Sequence, residues 1–571
     1  MNSIAHVVFD LPMEGHFDYL IPQHLQTQVR TGVRVKTFLG PKPVAGFVVS
    51  TADKPSVDKK IKPLKNIDGN GPVFDERDLI FARRFAGYYG CSLGQALGVM
   101  LRHRQSLPVS AQPLSRPALT TLYHCGDGNY VPLLKRLAAQ PQEYCIVFPD
   151  AFAANSLEVP AEVRRRIGLR SSMFEAFGRC RLVIVVDEDN PLYKQEQSPM
   201  YETRQVVLMA QDVYGFDIAF VSATPSVELV HLAGQKQIGY ELHSAEKTSA
   251  KPSVIDATNY KFLEKGILSP PLRNAIQENL NAQRQTMILL NRRGSYRVTR
   301  CKGCGHVLKC GRCDSPLVYV RPKKAFECRH CNVHMEQTPA CPTCGQLDWK
   351  SYGLGVEQLQ KELSLIFSGL RTAYFEKDSQ KLPSGWDVLI ATQAVLRFHN
   401  QLKVHSVIIP DIDAELNRMD LRSSFKGWSL AQRARLLGKQ LLVQTRNPHH
   451  HVLQALAGDE PGRFYEQELK LRRELGFAPF YHWAAVTGRA KEEKSAQSFI
   501  QDVYNEFNAK KPAGIALTPP QPDIPAKVRD QYRFRIMVGG SQVEPMVDFI
   551  KRTLPSIKRK NTVIVTLNVD P

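Results

Sequence analysis

The sequence predicts a mixed α/β protein of several domains, built around two lobes with parallel β-sheets. The chain has 571 residues, which is more than a single hydrophobic core usually stabilises. About three or four domains are therefore expected. From about residue 118, short apolar runs alternate with segments of helical length, which is typical of parallel strands covered by helices on both faces. Eight of the 12 cysteines fall between Cys301 and Cys344 and mark a separate module.

Residues 1–105 are expected to form a small β-rich domain closed by a helix. The opening stretch IAHVVFDL alternates with period two, and GVRVKTFLG and VAGFVVS also have the composition of strands. The segment DERDLIFARRFAGYYG places Leu79, Phe81 and Phe85 at helical spacing. The polar, proline-containing residues 106–117 are predicted to be a linker.

Two groups of buried-strand runs predict the two lobes. The first lobe, 118–265, contains EYCIVFPD, RLVIVVDED and DIAFVSATP. The second lobe, 266–300 and 346–455, contains TMILLNRR, DVLIATQAV, HSVIIPDID and KQLLVQTRNP. The final segment, 456–571, runs from the helical RFYEQELKLRRELGF to NTVIVTLNVDP and is predicted to be a small α+β domain.

Residues 301–345 are predicted to be a double-zinc module, because they contain four C-x-x-C pairs. A two-residue spacing lets one tight knuckle place two sulfurs on a tetrahedral ion, and a second knuckle completes the site. Eight cysteines therefore make two closed sites, which are structural and not catalytic. Loose redox thiols are the alternative, and four correctly spaced pairs argue against it. The predicted ligands are Cys301, Cys304, Cys310, Cys313, Cys328, Cys331, Cys341 and Cys344.

The charge balance favours a polyanionic partner. The formal net charge is +20, from 75 Lys and Arg against 55 Asp and Glu, and each phosphate that a basic residue neutralises releases counterions. A solvated basic surface is the alternative. The first residues show no charged-then-apolar leader, and no apolar run approaches the roughly 18 residues that span a bilayer. We therefore expect a cytoplasmic protein with no membrane partner.

Taken together, these motifs resemble the PriA family of bacterial replication restart proteins (primosomal protein N′) over nearly the whole chain. The resemblance is carried by FDYLIP and RVKTFLG at the front, DEDNPLYKQEQSPMYETR and SATPSVEL in the first lobe, NRRGS and YGLGVEQLQKEL beside the cysteines, and EQELKLRRELGFAPF and NVDP near the end. It implies two RecA-like helicase lobes and forked or branched DNA as a partner. It also implies primosome proteins, single-stranded-DNA-binding protein and the replicative helicase as protein partners.

The resemblance also assigns residues to a pocket that captures the 3′ end of a nascent strand: Phe17, Asp18, Gly40 and Lys62. An aromatic ring can stack on the terminal base, a carboxylate can accept from the free 3′-hydroxyl, and a lysine can meet phosphate. Read without the resemblance, Phe17 is a core residue, Asp18 a turn residue and Lys62 a surface residue.

The zinc pairing that the resemblance implies is nested, with the outer cysteine pairs on one ion and the inner pairs on the other. The first zinc would be held by Cys301, Cys304, Cys341 and Cys344, and the second by Cys310, Cys313, Cys328 and Cys331.

The chain departs from the family at the phosphate-binding loop. A helicase of this class needs G-x-x-x-x-G-K-[ST], whose lysine reaches the γ-phosphate and whose hydroxyl binds Mg²⁺. The corresponding stretch, LYHCGDGNYVPLLKRL, retains Gly126 and Gly128 but has Asn129 and Tyr130 where the lysine and hydroxyl are needed. Losing the lysine alone removes a charge-assisted contact worth roughly 1.5–3 kcal/mol.

Three further motor elements also depart from the family's pattern. The acid motif reads Asp187-Glu188-Asp189-Asn190, without the final Glu-His, and ATQAVLRFHN replaces the segment that couples nucleotide to DNA. The arginine-finger segment reads LAQRARLLGK, with Arg433 and Arg435 as candidate relics. We therefore expect a pseudo-helicase with no ATP turnover, in which the acid pair is retained by the fold.

The interval at 106–117 is too short for the winged-helix domain of the family, which we expect to be absent. Two other functions stay open: an active ATP-dependent 3′–5′ DNA helicase with a divergent nucleotide site, and a zinc-ribbon scaffold that binds proteins alone.

Overall fold

A computed structural model describes the chain apart from residues 1–2, 58–60, 108–115, 141–142, 157–158, 244–251, 261–265, 291–297, 305, 312–316, 321–324, 329–332, 336–339, 353–355, 377–378, 380, 400 and 419–421. No helix in the described part of the chain is both long and apolar enough to cross a membrane. The predicted linker falls largely outside the described residues.

The N-terminal domain is a five-stranded antiparallel sheet in the order β2-β1-β4-β3-β5. One face of the sheet closes over a small core of its own, which includes Val7, Tyr19 and Val35. The strands are β1 (Ile4–Phe9), β2 (Phe17–Leu20), β3 (Val33–Leu39), β4 (Lys42–Ala52) and β5 (Asn66–Pro72).

Two helices follow the sheet, α1 (Glu76–Tyr89) and α2 (Leu93–Met100). Helix α1 begins at a capping box, in which the Asp75 side chain and the Asp78 side chain each accept from the other's backbone N–H. It ends at Gly90, whose φ of 63° is readily adopted by glycine. The apolar face of α1 packs in one continuous core with the first lobe and the C-terminal domain.

The first lobe has a six-stranded parallel sheet in the order β11-β6-β10-β9-β7-β8. All five residues of β9 are buried, as the apolar run LVIVV predicts. The strands are β6 (Thr120–His124), β7 (Tyr144–Phe148), β8 (Ile167–Leu169), β9 (Leu182–Val186), β10 (Asp217–Ser222) and β11 (Gly239–Leu242). The helices are α3 (Val131–Ala138), α4 (Ala151–Ser156), α5 (Ala161–Arg164), α6 (Met173–Ala176), α7 (Thr203–Tyr214) and α8 (Val227–Gly234).

The second lobe has its own six-stranded parallel sheet, in the order β12-β22-β21-β13-β20-β19. Strand β12 (Ser253–Asp256) pairs with β22 in this sheet and therefore belongs to the second lobe. The predicted boundary between the lobes at residue 265 is wrong, because the second lobe begins earlier in the chain. The other strands are β13 (Thr286–Leu289), β19 (Thr372–Phe375), β20 (Val388–Ala391), β21 (Val404–Ile409) and β22 (Gly438–Thr445). The helices are α9 (Pro270–Asn281), α10 (Val356–Ile366), α11 (Asp413–Leu416), α12 (Ser423–Arg435) and α13 (His451–Gly458).

The cysteine-rich module interrupts the second lobe between β13 and α10. Strands β14 (Val298–Cys301) and β18 (Trp349–Tyr352) pair antiparallel at its base. A three-stranded sheet lies between them, formed by β15 (Leu317–Val320), β16 (Ala325–Cys328) and β17 (His334–Met335).

The C-terminal segment begins with α14 (Pro461–Leu475), whose Phe464 stacks on Trp428 of the second lobe at 4.5 Å between ring centroids. An antiparallel sheet in the order β24-β26-β23-β27 follows, with β25 also paired to β26. Its strands are β23 (His482–Ala490), β24 (Ala516–Leu517), β25 (Gln521–Val528), β26 (Gln531–Gly540) and β27 (Ile564–Val569), and its helices are α15 (Glu493–Lys510) and α16 (Val543–Thr553). The predicted mixed α/β architecture with two parallel-sheet lobes is confirmed.

Candidate functional site

The four residues predicted for the 3′-end pocket lie on neighbouring segments of the N-terminal domain. Phe17 and Asp18 begin β2, and Gly40 forms the turn between β3 and β4 with φ 62°. The Lys62 amine donates to the Gly40 carbonyl oxygen at 3.0 Å. The Lys62 carbonyl in turn accepts from the backbone N–H of Leu20 at the end of β2. Lys62 thus joins the turn at Gly40 to the end of β2.

Asp18 is the most constrained member of this group, with a side chain that is 1% exposed. Its Oδ2 accepts from the backbone N–H and the hydroxyl of Ser56, at 2.5 and 2.8 Å. Burial pushes the pKa of Asp18 upward, but the two Ser56 hydrogen bonds and the nearby imidazoles of His6 and His16 leave the pKa below its ordinary value. Asp18 therefore presents a charged acceptor, and the reading of this residue as a plain turn residue is not supported.

Four cysteines of the module converge on one position that can hold a metal ion: Cys301, Cys304, Cys341 and Cys344. The Cys301 and Cys344 sulfurs are 3.4 Å apart, and the Cys304 and Cys341 sulfurs are 3.5 Å apart. Sulfurs that share one tetrahedral ion at about 2.3 Å are expected to lie within about 4 Å of one another, so the arrangement fits a four-thiolate site.

Each knuckle of this site is closed by backbone hydrogen bonds. The Cys301 N–H donates to the His306 carbonyl and the Cys341 N–H to the Gln346 carbonyl, at 2.8 and 2.9 Å. Gly345 supplies the left-handed turn, with φ 72°. Of the inner cysteines, Cys310 and Cys328 are buried in the core of the module, and Cys313 and Cys331 lie outside the described residues.

The loop that corresponds to a phosphate-binding loop runs from Cys125 to Tyr130, between β6 and α3. Tyr130 occupies the position where the lysine-hydroxyl pair is needed, and its side chain is buried. Its hydroxyl donates to Asp187 Oδ1 at 2.5 Å. Asp187 follows β9 with a left-handed backbone, φ 55°.

The second lobe closes this loop from the other side. His399 lies with its Nε2 2.8 Å from the Gly128 carbonyl oxygen, and a Cβ added to Gly128 would lie 2.5 Å from Leu436 Cδ1. The space beside the loop is therefore occupied by side chains of the second lobe.

Arg433 of α12 binds the acid motif across the two lobes. Its Nη2 donates to both oxygens of Asp189, at 2.8 and 3.0 Å, and lies 3.3 Å from Asp187 Oδ1. Asp189 also accepts from the hydroxyls of Ser222 and Thr224 at the SATP motif, at 2.6 and 2.8 Å, and from the hydroxyl of Ser429 on α12 at 3.2 Å. We call Arg433, Asp187 and Asp189 the interlobe latch.

The charges in the latch stabilise one another. Burial pushes the pKa of Asp187 upward, but the Arg433 guanidinium and the Tyr130 hydroxyl outweigh burial and lower the pKa. The pKa of Arg433 stands well above its ordinary value, because Asp187 and Asp189 favour the cation more than burial opposes it. Asp187 and Arg433 are thus each held in the charged form by the other.

Glu188 faces away from the latch into the first lobe. Its two oxygens accept from Arg204 Nη1 at 3.0 Å and from the Ser226 N–H at 2.6 Å. Burial raises the pKa of Glu188 to about 7, against the opposing effect of Arg204.

Sequence reasoning identified Arg433 and the acids as motor residues but missed their mutual contact. Arg435, the other candidate relic, binds Asp459 with its Nη2 at 2.9 Å and does not reach the acids. His6, His16 and Ser56 around Asp18 were also missed; the histidines in IAHVVFDL and EGHFDYL were the available signal.

Comparison with known proteins relates two segments of the chain to known domain families. Residues 6–102 match the 3'DNA-binding domain (3'BD) of PriA, and residues 473–571 match the primosomal protein N C-terminal domain. The replication restart protein PriA of Treponema pallidum is 24% identical over 100% of this chain and 99% of its own length. Those of Borreliella burgdorferi and Haemophilus influenzae are 25% and 27% identical over 71% of this chain. These two alignments span 64% and 58% of the relatives.

Solved structures similar to the chain include the Escherichia coli DEAH/RHA helicase HrpB, with a TM-score of 0.32 and 11% identity over 58% of this chain and 40% of that one. The DUF1998 helicase MrfA bound to DNA and AMPPNP has a TM-score of 0.29 and 10% identity over 70% of this chain and 54% of that one. Scores this low support no conclusion about this chain. On the two domain matches and the full-length alignment, the chain is similar to the PriA replication restart proteins along its whole length.

Proposed function

We propose that this protein recognises stalled or abandoned replication forks by their 3′ end and promotes primosome assembly and reloading of the replicative helicase, without hydrolysing ATP. The observation that carries the proposal is the 3′ DNA-binding domain match over residues 6–102, together with a buried carboxylate at the predicted end-binding residue, Asp18.

The chemistry of the end pocket supports discrimination between an end and an internal nucleotide. Asp18 Oδ1 accepts no hydrogen bond from the described residues, so it is available to a hydroxyl donor. A free 3′ end offers that donor, and an internal nucleotide or a 3′-phosphate does not. A hydrogen bond to a charged group contributes about 1.5–3 kcal/mol, which is a preference of roughly tenfold to a hundredfold.

The interlobe latch supports the loss of ATP turnover. In a working motor the acid pair binds Mg²⁺ and positions water beside a triphosphate. Here all four carboxylate oxygens of Asp187 and Glu188 accept from protein donors. A Mg²⁺ ion at Asp187 would have to displace or face the Arg433 guanidinium, and no lysine stands in the phosphate loop. Both the binding of Mg²⁺ with ATP and the hydrolysis of ATP are therefore opposed.

On this proposal the two lobes act as a closed platform. Lys and Arg contacts to phosphate would hold forked DNA with little base specificity, in the cytoplasm where the chromosome replicates. Lys551 amid the basic run 551–560 pairs with Glu14 and donates to the Cys91 carbonyl, whereas Lys558, Arg559 and Lys560 are exposed and are better placed for DNA. The cysteine module would hold two zinc ions with the nested pairing and present a surface to primosome proteins and single-stranded-DNA-binding protein.

The test compares how tightly the protein binds two forks that differ only in the chemical group at the 3′ end of the leading strand. The full-length protein is titrated with labelled forks whose leading strand ends in a 3′-hydroxyl or a 3′-phosphate. We expect tighter binding to the hydroxyl fork, and loss of that preference in Asp18→Asn. Asp53→Asn, at an exposed acid of the same domain, serves as the matched control.

Two results would favour the other functions. Equal binding to both forks by the wild type contradicts the end pocket, and no binding to DNA at all favours a scaffold that binds proteins alone. Fork-stimulated ATP hydrolysis favours a helicase with a divergent nucleotide site.

A further inference from the structure

Two histidines and the end-pocket aspartate form a cluster with the composition of a metal site. In the register of β1 and β2, His6 lies directly opposite Asp18, and His16 precedes β2. The ligand atoms of His6, His16 and Asp18 all lie within 4.8 Å of one another. Both imidazole Nε2 atoms are 3.6 Å from Asp18 Oδ1, and the two imidazole centroids are 4.2 Å apart.

Two of the three inward-facing atoms of this cluster have no hydrogen bond from the described residues, and the third, His16 Nε2, lies 3.4 Å from Ser56 Oγ. Asp18 is 1% exposed, and neither its Oδ1 nor His6 Nε2 has a hydrogen-bond partner among the described residues. Buried polar atoms almost always have a partner, and 3.6 Å is too long for a hydrogen bond. Two ligands of one tetrahedral ion, each about 2.1 Å from it, lie about 3.4 Å apart. The observed spacing is therefore close to what a shared ion requires.

The outer contacts orient the ligands. Ser50 Oγ lies 2.8 Å from His6 Nδ1, so an N–H on Nδ1 leaves the Nε2 lone pair facing Asp18. Ser56 holds the other carboxylate oxygen of Asp18 with two hydrogen bonds. Outer hydrogen bonds of this kind are what fix the tautomer and orientation of metal ligands.

We propose that His6, His16 and Asp18 bind one divalent transition-metal ion of the zinc class, separate from the cysteine module. Two imidazoles and one carboxylate suit such an ion, and three protein ligands leave a fourth position open. The role of the ion rests on the proposed end pocket: the 3′-hydroxyl oxygen takes the open position, and the ion carries the recognition that Asp18 alone would otherwise provide.

Cobalt titration tests the site in full-length protein whose cysteine sites hold zinc and from which the metal outside those sites has been removed with a chelator. We expect one further Co²⁺ per chain, with d–d absorption and no thiolate charge-transfer band, because the added ligands are nitrogen and oxygen. His16 is partly exposed, so His16→Ala is the variant least expected to disturb folding. It should weaken cobalt binding at least about tenfold, and His6→Asn should do the same, whereas His24→Ala, at an exposed histidine of the same domain, should not. Absence of the extra cobalt, or equal uptake by His16→Ala, overturns the proposal.

Fork binding separates this inference from the proposed function. With the ion supplied, the wild type should prefer the 3′-hydroxyl fork over a fork whose leading strand ends in a 3′-deoxynucleotide, which lacks the ligating oxygen, and omitting the ion or introducing His16→Ala should remove the preference. A preference that survives both changes overturns the role of the ion and leaves the end pocket standing. Cobalt binding without any preference overturns the end pocket and leaves the metal site standing.

Discussion

Replacing Arg433 by alanine is expected to destabilise the two lobes strongly. The side chain of Arg433 is 19% exposed and that of Asp189 is 2% exposed, so the substitution leaves a buried carboxylate without its cation. Removing one partner of a buried ion pair costs about 3–5 kcal/mol. Asp187 loses the same cation, which places the expected loss at the upper end of that range.

Urea unfolding followed by tryptophan fluorescence measures this loss. Trp428 lies on the same helix as Arg433 and is buried in the core of the second lobe, so its emission contributes to a signal that follows the unfolding of that lobe. Arg463→Ala is the control, because Arg463 and Glu460 form an exposed pair and such pairs contribute about 1 kcal/mol or less. A double-mutant cycle with Asp189→Asn completes the test. If the losses from Arg433→Ala and Asp189→Asn simply add, the latch is refuted.

Three further predictions concern other groups. Burial raises the pKa of Glu188 to about 7 from an ordinary 4.5. This carboxyl therefore favours folding fully below about pH 4.5 and loses that contribution to stability as the pH rises to about 7. The urea midpoint of Glu188→Gln should fall less than that of the wild type over this interval, and an identical fall contradicts the pKa shift. Cys304→Ser should lower the metal content by one ion per chain in elemental analysis, and an unchanged content excludes Cys304 as a ligand. Lys62→Ala should reduce the slope of log Kd against log salt for forks by about one, whereas an unchanged slope removes Lys62 from the phosphate contacts.

The parallel-sheet lobes were predictable because each strand is a local signal. The run LVIVV in β9 must be buried on both faces, whatever its neighbours are. The order of the strands was not predictable, because pairing joins distant segments. Strand β12 follows the first lobe in sequence but pairs with β22, in a register that aligns Ser253 with Leu442.

The functional sites also divide into one with a local sequence signal and others that form through contacts between distant residues. Metal binding by the cysteine pairs was predictable, since each C-x-x-C pair carries its own geometry, whereas the grouping of Cys301 with Cys344 was implied by the resemblance. The contact of Arg433 with Asp189 spans 244 residues, and that of Ser56 with Asp18 spans 38. Such contacts depend on tertiary packing, so the latch and the cluster around Asp18 required the structure.

The most direct test of the account is steady-state ATP hydrolysis by the full-length protein, with and without forked DNA. The account predicts that turnover stays at the level of an Asp187→Asn variant under both conditions, because the latch occupies the acid motif and the phosphate loop lacks its lysine. Turnover that forked DNA stimulates and that Asp187→Asn abolishes would contradict it.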